Sequence, residues 1–143
     1  MHALISCSLR QTNFTGLSTI DAMRRVILES PYAGDVETNL AYVRACMRDC
    51  LMRGDAPFPS HALYTQPGVL DDRDPLERQM GMEAGFEWGP VSEATVVYTD
   101  LGISDGMRLG IERAKECGRL IEFRSLNKTM HDAIEKAFDK TKD

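Results

Sequence analysis

The chain has no apolar run approaching the length of a membrane span, so a membrane partner is not expected. It has no C-x-x-C pair. Its four cysteines (Cys7, Cys46, Cys50 and Cys117) offer no set of four ligands in sequence range, which excludes a sequence-evident zinc site. They read as reduced thiols buried as small hydrophobes, with Cys46 and Cys50 sharing one helical face. There is no G-x-G-x-x-G and no Walker A loop, and nothing in the pattern requires a cofactor or a metal. Basic charge is also short. The 17 Lys and Arg stand against 22 Asp and Glu, a net charge of −5, which argues against a nucleic-acid polymer as partner. A single nucleotide stays open, because a few N–H groups at a helix N-terminus can hold a phosphate. Met1 to Arg10 carries only the short apolar patch Ala3-Leu4-Ile5 and lacks a basic start, so no secretory leader is expected and the compartment expected is the cytoplasm.

What remains is a globular composition, 43% hydrophobic and 27% charged over 143 residues, enough for one core and too little for two. Residues 1–23, rich in Ser and Thr, are expected to form an N-terminal arm or an extra strand, and residues 24–143 a single domain. Val26-Ile27-Leu28 is a continuous apolar run, the mark of a strand covered on both faces, and it ends at Ser30-Pro31. Gly34 permits a turn and Asp35 caps a helix running from Val36 to about Arg53, with Val36, Leu40, Val43, Met47 and Leu51 inward. Ala56 to Tyr64 is expected as the second strand. Asp74 and Pro75 open a second helix, with Leu76, Met80, Ala84 and Trp88 as its apolar side. Ala94 to Thr99 is the clearest strand. A third helix spans Asp105 to Cys117 with Ser104 as its cap. A short strand follows over Leu120 to Phe123, then a terminal amphipathic helix over Leu126 to Lys140 with Ile134, Ala137 and Phe138 inward.

Strands alternating with helices in this way predict an α/β fold. The sheet is parallel, Rossmann-like or flavodoxin-like, with four to five strands and helices on both faces. Ligands of such sheets sit beyond the carboxyl ends of the strands. Three polar turns fall there: Glu29 to Asp35, Ser60 to Tyr64, and Thr99 to Gly106. Each helix that follows aims its first N–H groups at the same crevice, so an anionic or hydroxyl-rich ligand is expected.

Four segments in order carry a resemblance: ESPYAGD at Glu29–Asp35, PFPSHALY at Pro57–Tyr64, DPLERQMGMEAGFEW at Asp74–Trp88 and TDLGISDGMRLGIERA at Thr99–Ala114. Together, over about residues 25–124, the chain resembles the nucleoside 2-deoxyribosyltransferase-like proteins, especially small members found in bacteriophage genomes. The resemblance implies a nucleoside or nucleotide ligand and a homo-oligomer. It also implies a glutamate that attacks C1′ of the sugar and displaces the base, and an aspartate that protonates or orients that base.

On that resemblance the nucleophile belongs four residues after Gly106, where this chain has Gly110. Glu112 lies two residues further, about 200° round the helix axis, and faces away. Another carboxylate is left to substitute, and Glu29, Asp35, Asp100 and Asp105 are the alternatives. Glu29 either faces the crevice or pairs with Arg24 or Arg25. Arg78 reaches a phosphate or stays at the surface, with the surface preferred. Gly106, Gly110 and Ala114 form a small-residue stripe for close packing or for ligand room. The expected catalytic residues are Glu29 and Asp100. The expected ligand-binding residues are Ser30, Tyr32, Gly34, Asp35, His61, Tyr64, Gly102, Ser104, Gly106 and Met107. Two functions follow: an enzyme that cleaves or transfers at an N-glycosidic bond, or a protein that kept the pocket, lost the nucleophile and sequesters a nucleotide signal. An oligomeric scaffold without a small ligand is a third.

Overall fold

The computed structural model describes residues 22–126. Its four strands are β1 (Arg24–Glu29), β2 (Asp55–Phe58), β3 (Ala94–Tyr98) and β4 (Leu120–Arg124). They form one sheet in the order β2-β1-β3-β4, and every pairing is parallel. The helices are α1 (Val36–Met52), α2 (Ser60–Leu63), α3 (Pro75–Glu87) and α4 (Asp105–Glu116). This is the expected α/β architecture. The expected arm falls almost wholly outside the described residues, as do Cys7 and the terminal helix beyond Leu126.

Side chains of a strand alternate between faces. Val26, Leu28, Ala94, Val96 and Tyr98 therefore meet Tyr42, Val43, Cys46 and Cys50 of α1 on one side. Val97 meets Met107 and Ile111 of α4 on the other, with Ile121 against them. All five residues of β3 are buried, in keeping with its β-branched and aromatic sequence, and the Thr95 hydroxyl accepts from Arg119 at 3.3 Å. Cys46 and Cys50 are buried free thiols, whereas Cys117 is exposed.

The second strand is shorter than its sequence suggests. β2 ends at Phe58, Pro59 precedes the single turn α2, and Ser60 to Leu63 are helical. Pro57 is tolerated because β2 lies at an edge of the described sheet.

Two helices are rotated relative to the expected stripes. In α1 the buried residues are Asn39, Tyr42, Val43, Cys46 and Cys50, while Val36 and Leu51 are exposed. Polar anchors decide this. The Asn39 amide donates to the carbonyls of Tyr32 (2.9 Å) and Ala33 (3.2 Å), and the Tyr42 hydroxyl donates to Asp100. In α3, Leu76 is 77% exposed and Met80 also faces out, while Trp88, just past its end, is half-exposed with its ring against Phe58. Its glycines turn inward instead. A β-carbon on Gly85 would stand 2.6 Å from Ser60 Oγ, and one on Gly81 3.2 Å from Leu70 Cδ1. Close approach on that side outweighs burial of the large side chains.

An ion-pair network ties the sheet together. Arg24 Nε lies 3.0 Å from Asp55 and Arg24 Nη1 2.8 Å from Glu122. Arg124 Nη2 lies 2.7 Å from both carboxylates.

Candidate functional site

The chain runs from β1 outward to β2 and then returns to β3 on the other side of β1. The strand order therefore reverses between β1 and β3, and the crevice outside their carboxyl ends is where open α/β sheets hold ligands. A cleft of about 350 Å³ lies there. Glu29, Ser30, Tyr32 and Ala33 follow β1 into it, and Ser60 and His61 enter from the start of α2. Ser104, Asp105, Gly106, Met107 and Gly110 come from the cap and first turns of α4. The fourth wall is α3, through Arg78, Met82 and Phe86, with Asp72 just ahead of it.

Glu29 sits on the α4 side of β1 and turns into this cleft. Neither arginine near it in sequence is available, since Arg24 pairs with Asp55 and Glu122, and Arg25 with Glu93. A β-carbon on Gly110 would stand 2.5 Å from Glu29 Cδ and 3.0 Å from Oε2, with Oε1 nearer still. The carboxyl group thus fills the room that a side chain at 110 needs. A helix-interior glycine costs about 0.5–1 kcal/mol relative to alanine. Here that cost admits a carboxyl group from the neighbouring strand. Burial pushes the Glu29 carboxyl up to about 8, and the charge of Arg119 opposes this only in part. No side chain among the described residues hydrogen-bonds it.

Beside Glu29, Ser30 Oγ and His61 Nε2 are 2.7 Å apart. Burial holds the His61 imidazole down to about 4, so it is neutral near pH 7. The pair is one hydrogen bond, with the donor set by the imidazole tautomer. At α4, the Ser104 hydroxyl accepts from Met107 N at 3.3 Å, as an N-cap should. The N–H groups of Asp105 and Gly106 precede the helical hydrogen-bond ladder and have no partner within it. Arg78 Nη2 comes within 3.8 Å of where a β-carbon of Gly106 would be, so a guanidinium and a helix N-terminus face one region. Arg78 is also 3.4 Å from Asp72.

A second cavity of about 720 Å³ adjoins the cleft and shares Tyr32, Ala33 and Asp72 with it. Gly34 lines this neighbour, which is bounded mainly by the loop 65–73.

The remaining expected residues do other work. Asp35 caps α1, accepting from Thr38 N at 3.2 Å and from its hydroxyl at 2.7 Å. Asp100 accepts from the Tyr42 hydroxyl and from Leu126 N, holding α1 and the end of β4 to the β3 turn, and it does not line the cleft. Tyr64 accepts from Trp88 Nε1 at 3.0 Å and stacks edge-on to Phe58, outside the cleft. Gly102, with φ +83°, makes the turn after β3. Glu112 faces away, 3.2 Å from Lys115. Arg78 lines the cleft while its side chain stays 39% exposed, so the surface reading preferred for it stands beside a place at the cleft. With Met82 and Phe86, Arg78 forms an i, i+4, i+8 row, two positions from the Leu76–Met80 row, which faces out.

Among the described residues no group of three or more His, Cys, Asp or Glu side chains is placed to hold a metal ion, and no helix is long and apolar enough to cross a membrane. Residues 24–124 match the family described as domain of unknown function (DUF7768), and the chain belongs to that family. No curated protein and no solved structure matches the chain.

Proposed function

We propose that this member of the DUF7768 family binds a nucleoside or nucleotide in the β1/β3 cleft and acts at its N-glycosidic bond. The observation that carries the reading is the convergence of Glu29–Ala33, Ser60–His61 and Ser104–Gly110 on one cavity at the strand-order reversal. Its volume of about 350 Å³ lies within the usual range for small-ligand sites, roughly 300–1,000 Å³. Tyr32 and Phe86 line the cleft and are the aromatic side chains available to a base there, one face of Phe86 being covered by the Arg113 guanidinium at 4.8 Å. The Ser30–His61 pair and Ser60 offer polar contacts to sugar hydroxyls. Arg78 and the first N–H groups of α4 suit a phosphate. The resemblance to nucleoside 2-deoxyribosyltransferase-like proteins points to the same ligand class and to a homo-oligomer, which light scattering tests against the one-chain mass of 16.0 kDa.

The test is a panel of nucleosides, their 5′-monophosphates, NAD and cyclic nucleotides, with melting temperature and base release followed together. A melting shift with free base or a new nucleoside supports the reading. Absence of any shift overturns it. A shift without turnover favours a sequestering protein, a second reading supported by the lack of a carboxylate at Gly110.

A further inference from the structure

We propose that Glu29 is the catalytic acid of the cleft, protonating the base as it leaves, and that Gly110 is glycine because the Glu29 carboxyl occupies the place of its side chain. The proposal rests on the nucleoside or nucleotide reading above. The geometry is the close approach already described, with Glu29 Cδ 2.5 Å from the missing β-carbon. No side chain among the described residues hydrogen-bonds this carboxyl, which faces the cleft, so solvent or a bound ligand supplies its partners.

The surroundings set its protonation. Met82, Phe86, Met107 and Gly110 form an apolar part of the cleft lining, while Ser30, Ser60 and Ser104 line it with hydroxyl groups. The charged or titratable groups facing it are Arg119 from the turn before β4, Arg78 of α3 with Asp72 ahead of it, Asp105 of α4, and His61 of α2. His61 is neutral near pH 7, and Arg78 is engaged with Asp72. Burial prevails, and with a value near 8 Glu29 carries its proton at neutral pH. A carboxyl in that state is a proton donor, whereas a nucleophile has to be ionised.

The step balances as follows. The C1′–N bond breaks and its electron pair goes to the base, which takes the Glu29 proton. Positive charge develops on the sugar beside the new Glu29 carboxylate. Water adds to C1′ through its oxygen and gives a proton back to Glu29. The net reaction is nucleoside plus water to sugar plus free base, with no bond between Glu29 and the sugar.

The experiment uses the full chain with deoxyadenosine, deoxyguanosine, deoxycytidine, thymidine and their 5′-monophosphates. Melting shifts read binding, and chromatography reads base release from pH 5 to 9.5. The expected result is release that falls tenfold per pH unit above about pH 8. Glu29→Gln should keep the melting shift and lose roughly 100- to 10,000-fold in release. Gly110→Ala, which moves the carboxyl without removing it, should bind and lose release as well. Release by Glu29→Gln within a few-fold of the unmodified chain overturns the role of Glu29 and leaves the proposed function standing. Binding by the unmodified chain without release overturns the role of Glu29 together with action at the N-glycosidic bond, and leaves only the ligand class. A sugar adduct on Glu29 by mass spectrometry, or release that keeps rising above pH 8, overturns the acid role. Failure of every probe to bind overturns the ligand reading itself.

Discussion

Ser30 Oγ and His61 Nε2 are 2.7 Å apart, a contact that holds the end of β1 against the first turn of α2. His61 is neutral in the fold because burial lowers its value to about 4. The unfolded chain takes up a proton at about 6.5, the ordinary histidine value. Below that pH the unfolded state binds a proton that the folded state lacks, so stability falls as pH drops from about 6.5 toward about 4. Expected from urea titrations is a loss on the order of a few kcal/mol across this window. His61→Asn should remove that slope, and an unchanged slope would show that another group causes it.

Glu29 works in the opposite sense. Its folded-state value is raised from 4.5 to about 8, so between those values the folded protein holds a proton that the unfolded chain has released. Its contribution is complete below about 4.5 and is lost as pH rises through about 8. Glu29→Gln should therefore melt higher than the unmodified chain at pH 8.5 to 9, with the gap closing toward pH 5. Equal melting temperatures at both ends of the range would mean that the carboxyl is solvated.

The Glu29–Gly110 contact also makes a double-mutant cycle decisive. Gly110→Ala improves helix propensity by about 0.8–1 kcal/mol, yet its methyl group meets the Glu29 carboxyl. Overpacking of this kind costs about 1–3 kcal/mol, so the single variant should be destabilised. In a Glu29→Ala background the obstacle is gone, and the same substitution should become neutral or stabilising. Additivity of the two changes within about 0.5 kcal/mol would refute the contact.

Legibility in the sequence follows the strength of local signals. Val26-Ile27-Leu28 announces a buried strand by its unbroken apolar run, and ATVVY by its β-branched and aromatic side chains. Asp35, Asp74 and Ser104 announce helix starts because a side chain satisfies backbone N–H groups there. Helix rotation is harder to read. Asn39 and Tyr42 turn inward for hydrogen bonds to partners that only the fold brings near, and Gly81 and Gly85 turn inward because they carry no side chain. For the same reason Asp100 stands out at a strand end, although its partners, Tyr42 and Leu126, lie far from it in sequence. Glu29 was identifiable as a candidate, but its relation to Gly110 spans two elements and has no sequence signature.

The ion-pair network gives the last prediction. Asp55 is almost wholly enclosed between Arg24 and Arg124, with hydrogen bonds of 3.0 Å and 2.7 Å. Their guanidinium groups hold its carboxyl below the usual aspartate value even though burial opposes the shift. Glu122, bonded to the same two arginines, is drawn down to about 2. Both carboxylates stabilise the fold at neutral pH; the Glu122 contribution is lost as pH falls from about 4.5 toward about 2, and that of Asp55 as pH falls below its ordinary value. Asp55→Ala leaves two cations facing each other with one carboxylate between them, and Arg124 is only 9% exposed. Removing one partner of a buried pair costs about 3–5 kcal/mol, because the remaining charge has lost both water and counter-charge. Chemical denaturation should show a lower midpoint at unchanged m-value, with a weaker acid dependence below pH 4.5. A loss under about 1 kcal/mol, the range of exposed pairs, would mean that water reaches these groups and that the network does not hold β1, β2 and β4 together.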